Sequence, residues 1–117
     1  MKPAPIKQVA TVEDLNKLDI RVGEIVEVEE LPESRKLVRM TVDFGDHRRT
    51  ILAGIKQERE DPSEVRGRQA LFVVNLAPRT MAGVISEGML LDIGYADGIN
   101  PALATPEFPV PNGARAG

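Results

Sequence analysis

A chain of 117 residues with 42% apolar and 28% charged side chains has the size and make-up of one soluble globular domain. No apolar run approaches the roughly 20 residues of a membrane span, and Met1 to Ala10 lacks the apolar stretch of a secretory signal, so a membrane protein is excluded and the cytoplasm is the expected address. The lack of cysteine excludes disulfides, thiol catalysis and thiolate-bound zinc, and the single His47 leaves only carboxylates for any metal site. The net charge of −3 conceals an asymmetry: four basic and eight acidic residues in 1–33, ten and six in 34–79, one and four in 80–117. The middle third is a basic island, which is either an ordinary solvated surface or a phosphate-binding one.

In chain order, residues 1–11 read as an N-terminal extension. TVEDLNKL then predicts a short amphipathic helix, with Thr11 as its cap, Glu13 and Asp14 in the first turn, and Val12, Leu15 and Leu18 on one side. DIRVGEIVEVEEL predicts a long first strand that bends at Gly23 and sets Ile20, Val22, Val26 and Val28 on one face, with Pro32 ending it. Val38, Met40, Val42 and Phe44 alternate with Arg39, Thr41 and Asp43 as a half-buried second strand. A turn at Gly45-Asp46 returns the chain as a third strand, Arg48 to Ala53, with Arg48 or Arg49 facing out. Asp61, Pro62 and Glu64, followed by Gly67, predict a helix of one or two turns. Gln69 to Leu76 is apolar on both faces, as in a central strand, and a loop rich in Ala, Pro and Gly leads to a further run at Glu87 to Ile93. Asp97-Gly98 predicts one more hairpin turn before Ile99 to Ala104, and the proline-rich tail from Thr105 should lie extended on the surface. Five or six short strands, with a helix between the third and fourth, predict an all-β fold: a five-stranded Greek-key barrel of the OB type, with short helices and terminal extensions.

Catalytic patterns are missing. Ser34, Ser63 and Ser86 lack the setting of an activated nucleophile, and His47 falls in a turn. Glu27, Glu29, Glu30 and Glu33 read as solubilising charges rather than metal ligands, and the glycines lack phosphate-loop spacing. No cofactor, no metal and no enzyme activity are therefore expected. Aromatic side chains are also scarce, and Phe44 and Phe72 are needed for the core, so there is no platform on which single-stranded bases could stack. An RNA partner would have to be gripped through its folded shape and its phosphates.

Three blocks carry a resemblance: DIRVGEIVEVEELPESRKL (Asp19 to Leu37), TILAGI (Thr50 to Ile55) and NLAPRTMAGVISEGMLL (Asn75 to Leu91), followed by a PVPNG ending. Together they resemble the tRNA-binding domain family, which includes the C-terminal modules of methionyl-tRNA synthetases, stand-alone tRNA-binding proteins, CsaA export chaperones and the endothelial monocyte-activating polypeptide domain. The similarity extends over residues 12–117 and implies an OB domain at 12–104. It also implies a non-catalytic, cytoplasmic homodimer that binds tRNA by structure. By position it assigns tRNA contacts to Lys36, Arg79, Ser86 and Met89, with Lys36 and Arg79 on phosphates, the Ser86 hydroxyl as a hydrogen-bonding group and Met89 as an adaptable apolar surface. Arg35 and Arg49 extend the expected basic track, and core packing is the alternative for Met89. Glu33-Ser34-Arg35-Lys36-Leu37 stands where many members have Asn-Ala-Asp-Lys-Leu, so contacts of that Asn or Asp do not transfer. The tail at 105–117 is expected at the dimer interface, with packing over its own barrel as the alternative. The competing function is a polypeptide-binding module, either a CsaA-like chaperone or a docking partner of an aminoacyl-tRNA synthetase.

Overall fold

The computed structural model describes residues 1–117, in the order α1 (Val12–Asn16), β1 (Ile20–Glu30), β2 (Val38–Asp43), β3 (Arg48–Ala53), a 3-10 turn (Pro62–Val65), β4 (Gln69–Val73), β5 (Arg79–Met81), β6 (Val84–Ser86), β7 (Met89–Leu90), β8 (Asp92–Ile93), a second 3-10 turn (Tyr95–Asp97), β9 (Ala102–Leu103) and β10 (Arg115–Ala116). The main sheet runs β3-β2-β1-β4-β7, with every pair antiparallel, and curls until its two ends meet. This nearly closed five-stranded barrel is the expected OB-type fold. No helix is long and apolar enough to cross a membrane.

The alternation in β2 builds the centre of the core. Val38, Met40 and Val42 are completely buried, and Phe44 beyond them meets Phe72 edge-on at 5.6 Å. In β1 the pairing with β2 slips between Ile25 and Glu27, so the apolar phase changes in mid-strand. Ile25 is the fully buried residue and Val28 packs on the core behind it, whereas Val26 is only half-buried, which corrects the expected single face of Ile20, Val22, Val26 and Val28. Gly23 lies against the core as well. A Cβ there would run into the Val42 side chain and stand 2.8 Å from the Phe44 ring, so glycine is required for the close approach of β1 to β2.

The Asp61 carboxylate accepts from the Ser63 backbone N–H (3.1 Å) and hydroxyl (2.7 Å), which caps the 3-10 turn and drives Val65 into the core. At α1 the Thr11 hydroxyl and the Asp14 carboxylate exchange hydrogen bonds with each other's backbone N–H, both at 3.1 Å. The apolar side of that helix, however, does not reach the barrel: Val12, Leu15 and Leu18 are all exposed.

The strand expected over Gln69 to Leu76 ends at Val73, and between Leu76 and Glu87, where the sequence predicts a loop, the chain forms a hairpin, β5 on β6. Its two-residue turn, Ala82-Gly83, has both φ angles positive (50° and 77°), the conformation that matches strand twist and that favours glycine. β8 pairs with β9 across the 3-10 turn, a broader connection than a tight turn at Asp97-Gly98. The tail is tied to its own barrel. Gln69 donates to Val110 O (2.6 Å) and accepts from Val110 N (3.1 Å), and β10 then pairs with Ile20 and Arg21 on the edge of β1 that β2 leaves free.

Candidate nucleic-acid interface

The loop that carries Arg35 and Lys36 joins β1 to β2, and two side chains hold it in shape. The Ser34 hydroxyl accepts from the backbone N–H of Lys36 (3.2 Å) and Leu37 (3.0 Å). The Lys56 ammonium donates to Leu31 O (3.0 Å) and Ser34 O (2.9 Å), closing the loop from beneath. Arg35 and Lys36 themselves stay exposed, and no side chain of the protein pairs with either. The residue that sequence reasoning missed here is Lys56, a lysine pointing inward to carbonyl groups.

Two other predicted residues are committed to the barrel seam. Along the edge where β3 meets β6 and β7, the backbone ladder has one bond, from Glu87 N to Thr50 O at 2.8 Å, and side chains supply the remainder. The Ser86 hydroxyl, 3% exposed, accepts from Leu52 N and donates to Gly88 O, each at 3.0 Å. The Glu87 carboxylate accepts from Thr50 N at 3.0 Å. The Arg49 guanidinium lies over the Phe44 ring and donates to Val74 O (2.6 Å) and Glu87 O (3.0 Å). Arg49 is thus half-buried, and Arg48 is the fully exposed arginine of the pair.

The seam presents Met89. Leu90 turns inward to the core, and Met89, its neighbour in β7, turns outward and is 46% exposed, which excludes core packing for that side chain. Met89 and Lys36 line one cleft of about 280 Å³, together with Leu52, Ile55, Glu58 and Tyr95 among others. Burial pushes the Glu58 carboxyl above its ordinary range, with the negative charge of Asp92 adding to the effect. Arg79 is exposed and unpaired, directly across the hairpin from Ser86. The structure therefore brings Lys36 and Met89 together, sets Arg79 on the adjoining hairpin and Arg35 on the Lys36 loop, and turns Ser86 and Arg49 to internal partners.

A larger recess, about 590 Å³, lies between α1, Asn75 and the C-terminus, but its polar groups are bonded to one another. Asn75 accepts from Asp19 N and donates to Lys17 O, both at 2.7 Å, and Arg115 pairs with Asp19 at 3.2 Å. None of the three serines weighed as nucleophiles bonds to His47. His47 contacts Asp46 (2.6 Å) and accepts from Arg49 Nε (3.0 Å), while Ser34, Ser63 and Ser86 bond elsewhere. No three acids or histidines gather in a way that could hold a metal ion.

A family model described as "Putative tRNA binding domain" matches residues 20–115. The chain is 39% identical over 112 residues to the methionine–tRNA ligase of Nitrosomonas europaea and 42% identical over 114 residues to that of Parabacteroides distasonis. These alignments cover 96% and 97% of this chain but only 16% of either ligase. Among solved structures it resembles a MetRS related protein from Pyrococcus horikoshii (TM-score 0.86, 35% identity, 94% of this chain and 99% of the other). It also resembles the chaperone CsaA of Bacillus anthracis (TM-score 0.80, 30% identity, 94% and 100%). With the match running through the barrel, the Lys36 loop and the Met89 turn, the chain belongs to the tRNA-binding domain family.

Proposed function

We propose that this chain binds folded tRNA without catalysis, in the cytoplasm, as a homodimer. The carrying observation is the pairing of an unpartnered Lys36, on a loop fixed by Ser34 and Lys56, with an outward-facing Met89 in one cleft. Lys36, Arg35 and Arg79 meet phosphates, and Met89 meets an exposed base. Ser86 and Arg49 serve the site from within by fixing the turn that presents Met89. The dimer reading draws support from apolar side chains left in solvent along the N-terminal extension and α1: Ile6, Val9, Val12, Leu15 and Leu18. Phe108, 65% exposed in an otherwise tethered tail, offers a second contact point for a partner copy at residues 105–117. Two linked barrels would present both sets of cations to one large ligand at high effective concentration.

Gel-shift titrations against folded tRNA, denatured tRNA and a duplex RNA test the reading. Folded tRNA is expected to bind tightest, with an affinity that falls steeply with salt. Equal or tighter binding to the denatured form would overturn it. A second reading, a polypeptide-binding chaperone, is favoured by the likeness to CsaA and by the same exposed apolar side chains. Suppression of aggregation of an unfolded protein, with no tRNA shift, would select it.

A further inference from the structure

We propose that the cleft beside Lys36 receives one unpaired guanine base and that the Glu58 carboxylate reads its Watson–Crick edge. The inference rests on the tRNA reading and goes beyond it by naming the base and the residue that selects it. At about 280 Å³ the cleft is smaller than the roughly 300–1,000 Å³ of pockets that enclose drug-sized ligands, which fits a single flat ring system. Its floor is apolar, from Leu52, Ile55 and Leu90, and the Met89 thioether and the 73%-exposed Tyr95 ring supply faces for a base to lie against.

The polar groups of this cleft are uncommitted. The side chains of Lys36, Glu58, Asp92 and Tyr95 make no hydrogen bond or ion pair within the chain, in contrast to Asp19, Asn75 and Arg115 of the larger recess. A half-buried carboxylate without a donor is costly, and its raised pKa records that cost. An ionised carboxylate is an acceptor at both oxygens. Guanine alone among the four bases sets two N–H donors, N1–H and N2–H, side by side on its Watson–Crick edge. Adenine and cytosine place an acceptor beside their amino donor, and uracil flanks its one N–H with two acceptors, so each would turn a lone pair toward the Glu58 charge. Asp92 adds acceptor capacity and repels phosphate, leaving the nucleotide's own phosphate to Lys36.

The test uses the whole chain, labelled at methionine methyl groups and backbone amides, titrated with guanosine, adenosine, cytidine and uridine 5′-monophosphates by NMR. Guanylate is expected to shift Met89, Glu58 and Tyr95 and to bind roughly ten-fold more tightly than the other three, the discrimination of one good bidentate contact. Glu58→Gln, which removes no internal hydrogen bond, should bring the four nucleotides to within about two-fold while leaving the salt dependence of tRNA binding unchanged. Tyr95→Ala, at an exposed position, should weaken guanylate by roughly ten-fold, as a lost stacking contact would. Equal binding of all four nucleotides to the wild type, shifts confined to residues outside the cleft, or a guanylate preference that survives Glu58→Gln would overturn the assignment. So would shifts of the same residues by N-acetylarginine amide and not by guanylate, which would make the cleft a polypeptide site. If folded tRNA binds and guanylate is not preferred, the base assignment alone falls; if the wild type fails to bind tRNA at all, the function proposed above falls with it.

Discussion

Removing one hydroxyl separates the two roles open to Ser86. Its Oγ is 3% exposed and bridges Leu52 N and Gly88 O at 3.0 Å each. In Ser86→Ala the Leu52 N–H is left buried without an acceptor, at a cost of about 1–3 kcal/mol, and Gly88 O loses a donor. Taking about 2 kcal/mol and a shift of about 4 °C per kcal/mol for a domain of this size, the melting temperature should fall by about 8 °C. Calorimetry on both proteins measures that loss, and filter binding at a temperature where both are folded measures tRNA affinity, expected to fall by no more than about three-fold because the turn beneath Met89 loosens. An unchanged melting temperature together with a ten-fold loss of affinity would refute the reasoning, since the hydroxyl would then be a ligand contact rather than a barrel seam.

Lys36→Ala and Arg79→Ala should each weaken tRNA binding and flatten its log–log salt dependence by roughly 0.7–0.9, without a change in melting temperature because neither side chain has an internal partner. An unchanged slope in both variants would move the phosphate contacts elsewhere. Met89→Ala should cost more in affinity than in stability, given its 46% exposure; calorimetry showing a loss of several degrees with affinity intact would contradict that placement. The Arg21 guanidinium beside Asp19, assisted by Arg115, holds the Asp19 carboxyl below its ordinary range. A carboxylate depressed in the folded state contributes stability above its unfolded pKa and loses it as pH falls through the folded one, so thermal melts of Asp19→Asn should flatten the acid limb below about pH 4. Parallel acid limbs for variant and wild type would show that this pair does not govern it.

What was legible in the sequence was whatever repeats with the period of its element. Val38, Met40 and Val42 alternate, and all three are fully buried as expected. In β1 adjacent apolar residues, Ile25 and Val26, hide a bulge, because a phase change leaves no trace when both phases are apolar. The β5–β6 hairpin was obscured by its length: three-residue strands establish no alternation, and Gly83 was the only local sign of the turn. At the candidate site, Lys36 and Met89 were reachable through the family resemblance. Periodicity carries no information on which polar side chains a fold satisfies internally, so Arg49 and Ser86 could not be told apart from free contacts, and Glu58 lies in a mixed charged stretch, Lys56 to Glu60, that carries no motif.

The same distinction explains how a chain of net charge −3 could grip a polyanion, and it sets a limit that tests the dimer. Of the ten cations in residues 34–79, Arg59 and Arg66 are held in ion pairs, and Arg49 and Lys56 are turned to backbone carbonyls. Six remain without a protein partner: Arg35, Lys36, Arg39, Arg48, Arg68 and Arg79. Charges beyond about 8 Å are screened at physiological salt, so distant acids do not cancel them, although Glu29 stands opposite Arg39 and Asp43 opposite Arg48 in the sheet and offset those two in part. Lys2 and Lys7 of the N-terminal extension are also unpartnered, and each phosphate contact contributes roughly 0.7–0.9 to the salt slope, so these eight cations yield at most about 7 from one chain, and that only if all meet phosphates at once. A tRNA slope steeper than about −7 requires a second chain. Leu15→Asp, on the exposed side of α1, should then give a monomer by light scattering, with an unchanged barrel melting temperature and a slope cut to about half. A monomeric Leu15→Asp that keeps the full slope would show that one barrel suffices.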